Sequence, residues 1–251
     1  MFKIFNASRG LLRIIQVHPC QALTSLMSST QRWRKVVQHG LVPKFSPLIL
    51  PARGLKNHVI QFRKAPVEYP PVTGTEHWRR KMRTFFRCFD VNGDCYITKE
   101  DFVISAKRIA DYMNLNDERA EHMLNQRIAM WDSTSKMKEG ASKISEEEYL
   151  KSAPMVFNQI SYRHEVFPLH VSMHFTALDL DSDGLISRDE HKASAYSFNI
   201  PEEESKKIFD LLDIDKSGFI TIDEIAHGLA EFFFTEDPKN KYNVIFGPLA
   251  D

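Results

Sequence analysis

Three stretches of the sequence place oxygen-bearing side chains at alternate positions and close with a carboxylate. They read DVNGDCYITKED over 90–101, DLDSDGLISRDE over 179–190 and DIDKSGFITIDE over 213–224. Ca²⁺ is a hard cation that takes about six to eight oxygen ligands in proteins. In a tightly wound loop, positions 1, 3 and 5 supply side-chain oxygens, position 7 supplies its backbone carbonyl, and position 12 closes the shell with a carboxylate. The spacing therefore predicts three calcium-binding loops.

We call these stretches loops I, III and IV, because a degenerate loop II lies between the first two. The pattern assigns ligands at positions 1, 3, 5, 7 and 12 of each loop. The predicted ligands are, in chain order, Asp90, Asn92, Asp94, Tyr96, Asp101, Asp179, Asp181, Asp183, Leu185, Glu190, Asp213, Asp215, Ser217, Phe219 and Glu224. The residues at position 7 contribute only a backbone carbonyl, so their side chains are free to vary.

Loop I departs from the other two loops at two positions. Position 6 needs a positive φ, which Gly adopts readily. Loops III and IV have Gly184 and Gly218 there, whereas loop I has Cys95. Position 12 of loop I is Asp101 instead of Glu, and this shorter carboxylate suits six-coordinate Mg²⁺. We expect calcium in loops III and IV, and either calcium or magnesium in loop I.

A degenerate partner for loop I is expected between residues 125 and 150, because such loops work in pairs. Ile144 and Glu148 match positions 8 and 12 of the pattern. Counting back places Met137 and Ala141 at positions 1 and 5, where neither side chain can ligate a hard cation. We predict that this loop II packs against loop I without binding metal.

Apolar residues at helical spacing flank the loops, for example Trp78 and Met82 before loop I. Each loop therefore joins two helices, as in an EF-hand. The sequence predicts an all-α fold of four EF-hands in two pairs that form one compact body. Short β-bridges are expected between paired loops, through the isoleucines at position 8, which are Ile97, Ile186 and Ile220.

The order of functional, degenerate, functional and functional loops resembles that of the invertebrate sarcoplasmic calcium-binding proteins. The run DVNGDCYITKEDF and the closing segment 242–249, YNVIFGPL, are also similar to that family, as is the region of Trp131 and Asp132. The resemblance covers about 74–251 and implies a calcium and magnesium buffer, which we expect to be a monomer. Cys95 and the basic N-terminal leader depart from the family pattern.

Calexcitin-like sensors and luciferin-binding proteins look related to that family, and they supply two alternatives to the buffer. A sensor that signals to a protein target exposes a groove that is often rich in Met. No Met follows residue 173, and the tail 242–249 can fill its own groove. A carrier would hold an apolar small molecule in a central cavity lined by Trp78, Trp131 and His174. We expect the buffer.

No constellation in the sequence supports an enzyme. His170 and His174 are four residues apart, as two metal ligands on one helix can be, but no third ligand completes a zinc site nearby. Cys88 and Cys95 have no convincing base partner, and nothing resembles a phosphate-binding loop. We therefore expect no catalytic activity.

Residues 1–67 differ in charge from the rest of the chain. They contain 11 basic residues and no acidic residue, whereas residues 68–251 contain 22 basic and 33 acidic residues. Residues 1–17 read as a basic amphipathic helix, which is typical of a mitochondrial presequence. The sequence predicts a mitochondrial location, or otherwise a cytoplasmic one.

The domain organisation follows this division of charge. We predict an irregular basic leader over 1–67, which is either a targeting peptide or a disordered segment. An N-terminal pair of hands, the second of them degenerate, is predicted over 68–160, and a C-terminal pair over 161–251. No apolar run reaches the roughly 18 residues that a membrane-spanning helix needs. The leader has no fold that could recognise a nucleic acid, so we expect none as a partner.

Overall fold

The computed structural model describes residues 59–137 and 140–250 of the chain, without the side chains of residues 136 and 137. The predicted presequence helix lies outside these residues. In the described part, the chain forms eight α-helices in four helix–loop–helix units, which confirms the predicted fold class. The helices are α1 Glu76–Phe89, α2 Lys99–Tyr112, α3 Asp117–Met137, α4 Glu146–Phe157, α5 Phe167–Leu178, α6 Arg188–Ser197, α7 Glu202–Leu212 and α8 Ile222–Phe234.

Shorter elements connect the helices or flank them. They are 3₁₀ turns at Pro66–Glu68 and Lys241–Val244, a π-helical turn at Tyr162–Val166, and the strands β1 Tyr96–Thr98 and β2 Lys143–Ser145. Within the described residues, none of the helices is both long enough and apolar enough to cross a bilayer.

Each helix that leaves a loop begins with a capping box built from positions 9 and 12 of that loop. The position-9 hydroxyl accepts a hydrogen bond from the first helical turn, and the position-12 carboxylate accepts one from the position-9 N–H. The pairs are Thr98 with Asp101, Ser145 with Glu148, Ser187 with Glu190, and Thr221 with Glu224. The helices that enter loops I, III and IV end at position 1, where Asp90, Asp179 and Asp213 are the C-caps. The loop pattern therefore sets the helix boundaries as well.

The loops pair as the sequence predicts. Strand β1 of loop I runs antiparallel to β2 of loop II, with Ile97 opposite Ile144. Loops III and IV are joined by a single bridge, in which Ile186 and Ile220 exchange two N–H···O hydrogen bonds of 2.9 Å. All four isoleucines are buried. Each pair of hands is thus held together at the centre of its loops.

The described residues of loop II are joined to the end of α3 by hydrogen bonds. Helix α3 extends to Met137, the residue that the sequence places at position 1. The Ser135 hydroxyl donates to the carbonyl of Ala141 at 2.7 Å, and the Gly140 N–H donates to the carbonyl of Ser135 at 2.9 Å. Residues 140 and 141 are thus held against the C-terminal turn of α3 by one backbone and one hydroxyl hydrogen bond.

Helices α1 and α8 are joined by buried polar side chains, which connects hand I to hand IV. The indole N–H of Trp78 donates to the carbonyl of Phe233 at 2.9 Å. The ammonium of Lys81 donates to the carbonyls of Phe232 and Thr235 at 2.6 and 2.7 Å. These contacts satisfy carbonyls at the C-terminal end of α8, which have no partner within the helix.

The segment 59–75 lies along the folded body, although the sequence assigns its first nine residues to the leader. Phe62 packs on Phe167, with ring centroids 5.9 Å apart. The buried guanidinium of Arg163 donates to the carbonyls of Pro66 and Tyr69 at 3.1 and 2.6 Å. The folded body therefore begins upstream of residue 68.

Candidate metal centres

Loop III brings three carboxylates together at the end of α5. Oxygen atoms of Asp179, Asp181 and Asp183 lie within 4.8 Å of one another, so that one cation can contact all three. The backbone N–H groups of Asp183 and Gly184 donate to the two oxygens of Asp179, at 3.1 Å each. These hydrogen bonds fix the first carboxylate at the entrance of the loop.

Loop IV gathers a second set of acidic groups. Oxygen atoms of Asp213, Asp215 and Glu224 lie within 4.8 Å of one another. The Oδ1 atom of Asp213 is buried and has no hydrogen-bond partner, as expected of an oxygen whose partner is a cation. The Ser217 hydroxyl donates to the carbonyl of Phe219 at 3.1 Å, so these two predicted ligands are adjacent.

The closing glutamates are held in place from both ends of their loops. In loop III, Glu190 Oε1 accepts from the N–H of Leu180 at 2.8 Å, and Oε2 accepts from the N–H of Ser187 at 2.7 Å. Glu224 makes the same contacts with positions 2 and 9 of loop IV, at 2.7 and 2.9 Å. Both carboxylates are thus oriented by backbone donors at the position where a bidentate calcium ligand is expected.

Asp101 spans loop I in the same way, although its side chain is one methylene shorter. It is fully buried. Its Oδ1 atom accepts from the N–H of Val91 at 3.0 Å, and Oδ2 accepts from the N–H of Thr98 at 2.8 Å. The Asn92 amide donates to Asp94 Oδ2 at 3.1 Å, so these two predicted ligands touch each other. Loop I therefore has the same hydrogen-bonded frame as loops III and IV around a smaller carboxylate.

Position 6 has a positive φ in all three loops. The φ angles are 69° at Cys95, 88° at Gly184 and 87° at Gly218. The expectation of a positive φ at Cys95 is confirmed. For a residue with a Cβ atom, this left-handed conformation costs roughly 1–2 kcal/mol, whereas Gly adopts it without this cost. At position 6, loop I therefore carries backbone strain that loops III and IV avoid.

The residues at position 7 present exposed or half-buried side chains. Tyr96 and Phe219 are exposed and Leu185 is half-buried. The Lys143 ammonium, from β2, lies 4.2 Å from the centre of the Tyr96 ring. This arrangement leaves the backbone carbonyl as the ligand that position 7 can offer.

The electrostatics of the loops favour a bound cation. Burial raises the pKa of Asp179 to about 6, and the nearby carboxylates of Glu190 and Asp183 add to the rise. Burial also raises the pKa of Asp90 and of Asp101. A divalent cation among these groups would supply the missing positive charge and stabilise their ionised forms. The donor set and its electrostatics both fit Ca²⁺.

A cavity lies in the core beside the first pair of loops. About 170 Å³ of it can be reached by the centre of a water molecule. Its wall combines residues of α1, α2, α3, α4, α5 and α8 with those of the paired strands and of the π-helical turn. The lining residues are Phe85, Phe89, Ile97, Phe102, Met130, Thr134, Ile144, Tyr149, Ser152, Ala153, Val156, Phe157, Tyr162, Phe167, His170, Met173, His174, Leu229 and Phe233.

Sequence reasoning identified only part of this wall. Of the three residues expected to line a carrier cavity, His174 does so, whereas Trp78 and Trp131 are buried in the core and are not among the lining residues. The sequence analysis did not name Tyr149 and Tyr162 as cavity residues. The available signal was a hydroxyl group on an apolar ring, at helix positions that face the core.

Comparison with known proteins agrees with this geometry. The EF hand family model matches residues 82–103, 174–190 and 206–229, which contain loops I, III and IV. The luciferin-binding protein of Renilla reniformis is 27% identical over 184 residues, which are 72% of this chain and 100% of that protein. The sarcoplasmic calcium-binding protein of Hediste diversicolor is 31% identical over 115 residues, 45% of this chain and 65% of that protein.

Solved structures share the fold. The coelenterazine-binding protein from Renilla muelleri, in its calcium-loaded apo form, superposes with a TM-score of 0.62 at 27% identity, over 70% of this chain and 99% of that one. n-Aequorin superposes with a TM-score of 0.53 at 20% identity, over 72% of this chain and 96% of that one.

The fold and the loops define an EF-hand calcium-binding protein, and the EF hand model matches the three loops that keep the ligand pattern. The chain is similar to sarcoplasmic calcium-binding proteins, to luciferin-binding protein and to aequorin. The resemblance to sarcoplasmic calcium-binding proteins that the sequence indicates is therefore confirmed.

Proposed function

We propose that this calcium-binding protein carries an apolar, aromatic small molecule in its central cavity, and that calcium changes its affinity for that molecule. The cavity is the observation that carries the proposal. By the same measure, a single water needs roughly 10–15 Å³, so the cavity is about an order of magnitude larger than a hydration site. A concave space with a largely apolar wall and a few polar groups is the usual form of a small-molecule site.

The few polar groups of the wall are neutral. Burial lowers the pKa of His170 to about 4. The pKa of His174 is lowered to about 3, first by burial and then by the charge of Arg127. Burial raises the pKa of Tyr149 and of Tyr162. At neutral pH these side chains carry no charge, and they can still exchange hydrogen bonds with a ligand.

The wall is built partly from the first calcium loop, which gives calcium a direct route to the ligand. Phe89 is the last residue of α1 before loop I, and Ile97 belongs to β1 within it. Phe102 lies in the first turn of α2, next to the predicted ligand Asp101. Ile144, opposite Ile97, extends the same wall into loop II. A change in loop I therefore displaces side chains that would touch the ligand.

The relatives favour the same role. Proteins that are similar to this chain over most of their length are named for binding luciferin or coelenterazine. We propose that the ligand here is of the same general kind, apolar and containing aromatic rings. The aromatic edges and faces of the wall suit such rings.

Filling the cavity tests the proposal. Val156 lines the cavity, whereas its neighbour Met155 on α4 is exposed and does not. In fluorescence titrations of the full chain with coelenterazine, we expect Val156→Trp to weaken binding at least tenfold and Met155→Trp to leave it unchanged. Calcium stoichiometry, measured in parallel, should be the same in both variants. No coelenterazine binding by the wild-type chain, or equal binding by both variants, would overturn the proposal.

For the metal centres, we propose the ligand sets predicted from the sequence. Loops III and IV would bind Ca²⁺, and loop I would bind Ca²⁺ or Mg²⁺ around the shorter Asp101. Calorimetric titration of the full chain with calcium should give three sites, and fewer than two would contradict these ligand sets. Calcium binding by itself also supports the second candidate function, a calcium buffer, for which the sarcoplasmic relatives are the observation. A chain that binds calcium but no apolar ligand would favour the buffer.

We also propose that the basic leader directs the protein to mitochondria. The proposal rests on its 11 basic residues and absence of acids. Sequencing the N-terminus of the protein isolated from cells tests it. A shortened chain in the mitochondrial fraction is expected, and an intact Met1 in the cytosol would contradict it.

A further inference from the structure

A buried arginine lies behind the cavity wall without a carboxylate partner. Arg127, on α3, is 1% exposed. Within the described residues, no acidic group lies at salt-bridge distance from its guanidinium. Burial lowers its pKa to about 10, so the side chain remains protonated at neutral pH. A charge that is removed from water and left without a counter-ion destabilises the protein that contains it.

The contacts that Arg127 does make are weak. One terminal nitrogen donates to the sulfur of Met130 at 3.7 Å, and the other donates to the carbonyl of Ala177 at 3.5 Å. Its Nε atom is buried without any hydrogen-bond partner. The guanidinium carbon lies 5.0 Å from the centre of the Phe198 ring. A guanidinium has five N–H donors, so most of its hydrogen-bonding capacity is unused.

Two neighbours of this guanidinium belong to the cavity wall. Met130, which accepts the hydrogen bond, lines the cavity, and so does His174, whose pKa is lowered by the charge of Arg127. The thioether of Met130 is a weak acceptor on an unbranched, adaptable side chain. Rotation of this side chain would open the guanidinium to whatever occupies the cavity.

We infer that the molecule held in the cavity is an apolar carboxylic acid whose carboxylate pairs with Arg127. The inference rests on the proposed carrier function and narrows the class of ligand. A carboxylate is the natural complement of a guanidinium, because the two groups form paired, charge-assisted hydrogen bonds. The remainder of the acid would lie among the aromatic and aliphatic side chains of the wall. The ligand would thus supply the counter-ion that the described part of the chain does not.

The test compares an acid with a neutral molecule of the same shape. The probes are 1-pyrenebutyric acid, a fluorescent carboxylic acid with an aromatic ring system, and its methyl ester, titrated into the full chain. We expect the acid to bind at least tenfold more tightly than the ester. Arg127→Met should reduce acid binding to the level of the ester and leave ester binding unchanged, whereas Arg127→Lys should keep part of the preference. Arg119→Met, at an exposed position of the same helix, is the matched control and should change neither affinity.

The outcomes separate this inference from the function on which it rests. If both probes bind equally, or if Arg127→Met keeps the preference for the acid, the inference is overturned while the carrier function stands. If neither probe nor coelenterazine binds, both fail together. The comparison of acid and ester in the wild-type chain needs no variant, so it tests the inference of a carboxylate ligand even if Arg127→Met does not fold.

Discussion

The two pairs of hands share loop pairing and helix capping but differ in their acidic residues. Hands III and IV meet through a single bridge between Ile186 and Ile220 and carry two acidic clusters. Hands I and II meet through the three-residue ladder of β1 and β2, and loop II has Met137 and Ala141 in place of oxygen-bearing side chains at positions 1 and 5. Loop II nevertheless keeps its capping box and its position-8 isoleucine. Pairing and capping therefore persist without the calcium ligands.

The cavity extends the contrast between the pairs. Ile97 and Ile144, which pair across loops I and II, line the cavity. Ile186 and Ile220, their counterparts in loops III and IV, are fully buried and are not among its lining residues. Helices of both pairs line the cavity, but of the paired loops only loops I and II contribute their position-8 isoleucines to its wall. In the proposed carrier, loops I and II would therefore be the loops that respond to the ligand. The predictions below test this division.

The largest effect is expected from the closing glutamates. Glu190→Gln and Glu224→Gln should each remove one calcium site, weakening it by about 100-fold or more, because a neutral amide replaces a bidentate carboxylate. Glu148→Gln alters the equivalent residue of loop II and is the matched control. Calorimetry should show one site fewer in each of the first two variants and no change in the third. A lost site in Glu148→Gln would contradict the interpretation of loop II.

A smaller effect is expected where loop I differs from its counterparts. Asp101→Glu restores the longer carboxylate, which reaches a calcium ion with both oxygens. We expect the preference of loop I for Ca²⁺ over Mg²⁺ to rise by about tenfold. Competition titrations in the Glu190→Gln/Glu224→Gln background isolate this loop. An unchanged preference would mean that the length of this side chain does not set the selectivity.

Backbone strain at position 6 should give a more modest change. An added Cβ at Gly218 would meet no atom within 4 Å, so Gly218→Ala would probe only its φ of 87°. A cost of roughly 1–2 kcal/mol corresponds to about five- to thirtyfold weaker calcium binding in loop IV. Calorimetry of the calcium sites measures this change, and an unchanged calcium affinity of loop IV in Gly218→Ala would argue against strain at position 6.

The smallest effect is a coupling of calcium to protons. The pKa of Asp179 is raised to about 6, and a bound cation would lower it again. Calcium added at pH 6 should therefore release part of a proton from this group, and at pH 8 it should release none. In the calcium-free chain, the same shift favours the fold at acidic pH, and this contribution is lost as the pH rises through 6. Potentiometric titration checks the release, and equal release at both pH values would contradict it.

Local features of this fold could be predicted from the sequence. The loops, the capping residues and the position-8 pairing depend on residues a few positions apart, whose chemistry is visible in the pattern itself. The strained φ of Cys95 followed from its place in loop I. The closing tail also lies against the body as expected, since the Ala250 N–H donates to Thr84 at 2.8 Å and Cys88 donates to the carbonyl of Phe246 at 3.2 Å.

Long-range packing could not be predicted in this way. Trp78 and Trp131 were expected at the cavity, but their burial depends on how α1 and α3 cross other helices, which no short spacing encodes. In the sequence, nothing distinguishes Arg127 from the other basic residues of a predicted helix. Only the fold shows that it is buried beside the cavity. The segment 59–75 was placed mostly with the leader, because its contacts are with residues far along the chain, such as Glu236, which accepts from the N–H of Gly74 at 2.8 Å.

The central claim is that calcium and the cavity communicate through the first pair of hands. The most direct measurement is the affinity of the full chain for coelenterazine, without calcium and at saturating calcium. The account predicts at least a tenfold difference between the two conditions, and it predicts that Asp101→Asn removes most of that difference while two calcium sites remain. Equal affinities with and without calcium in the wild-type chain would contradict it.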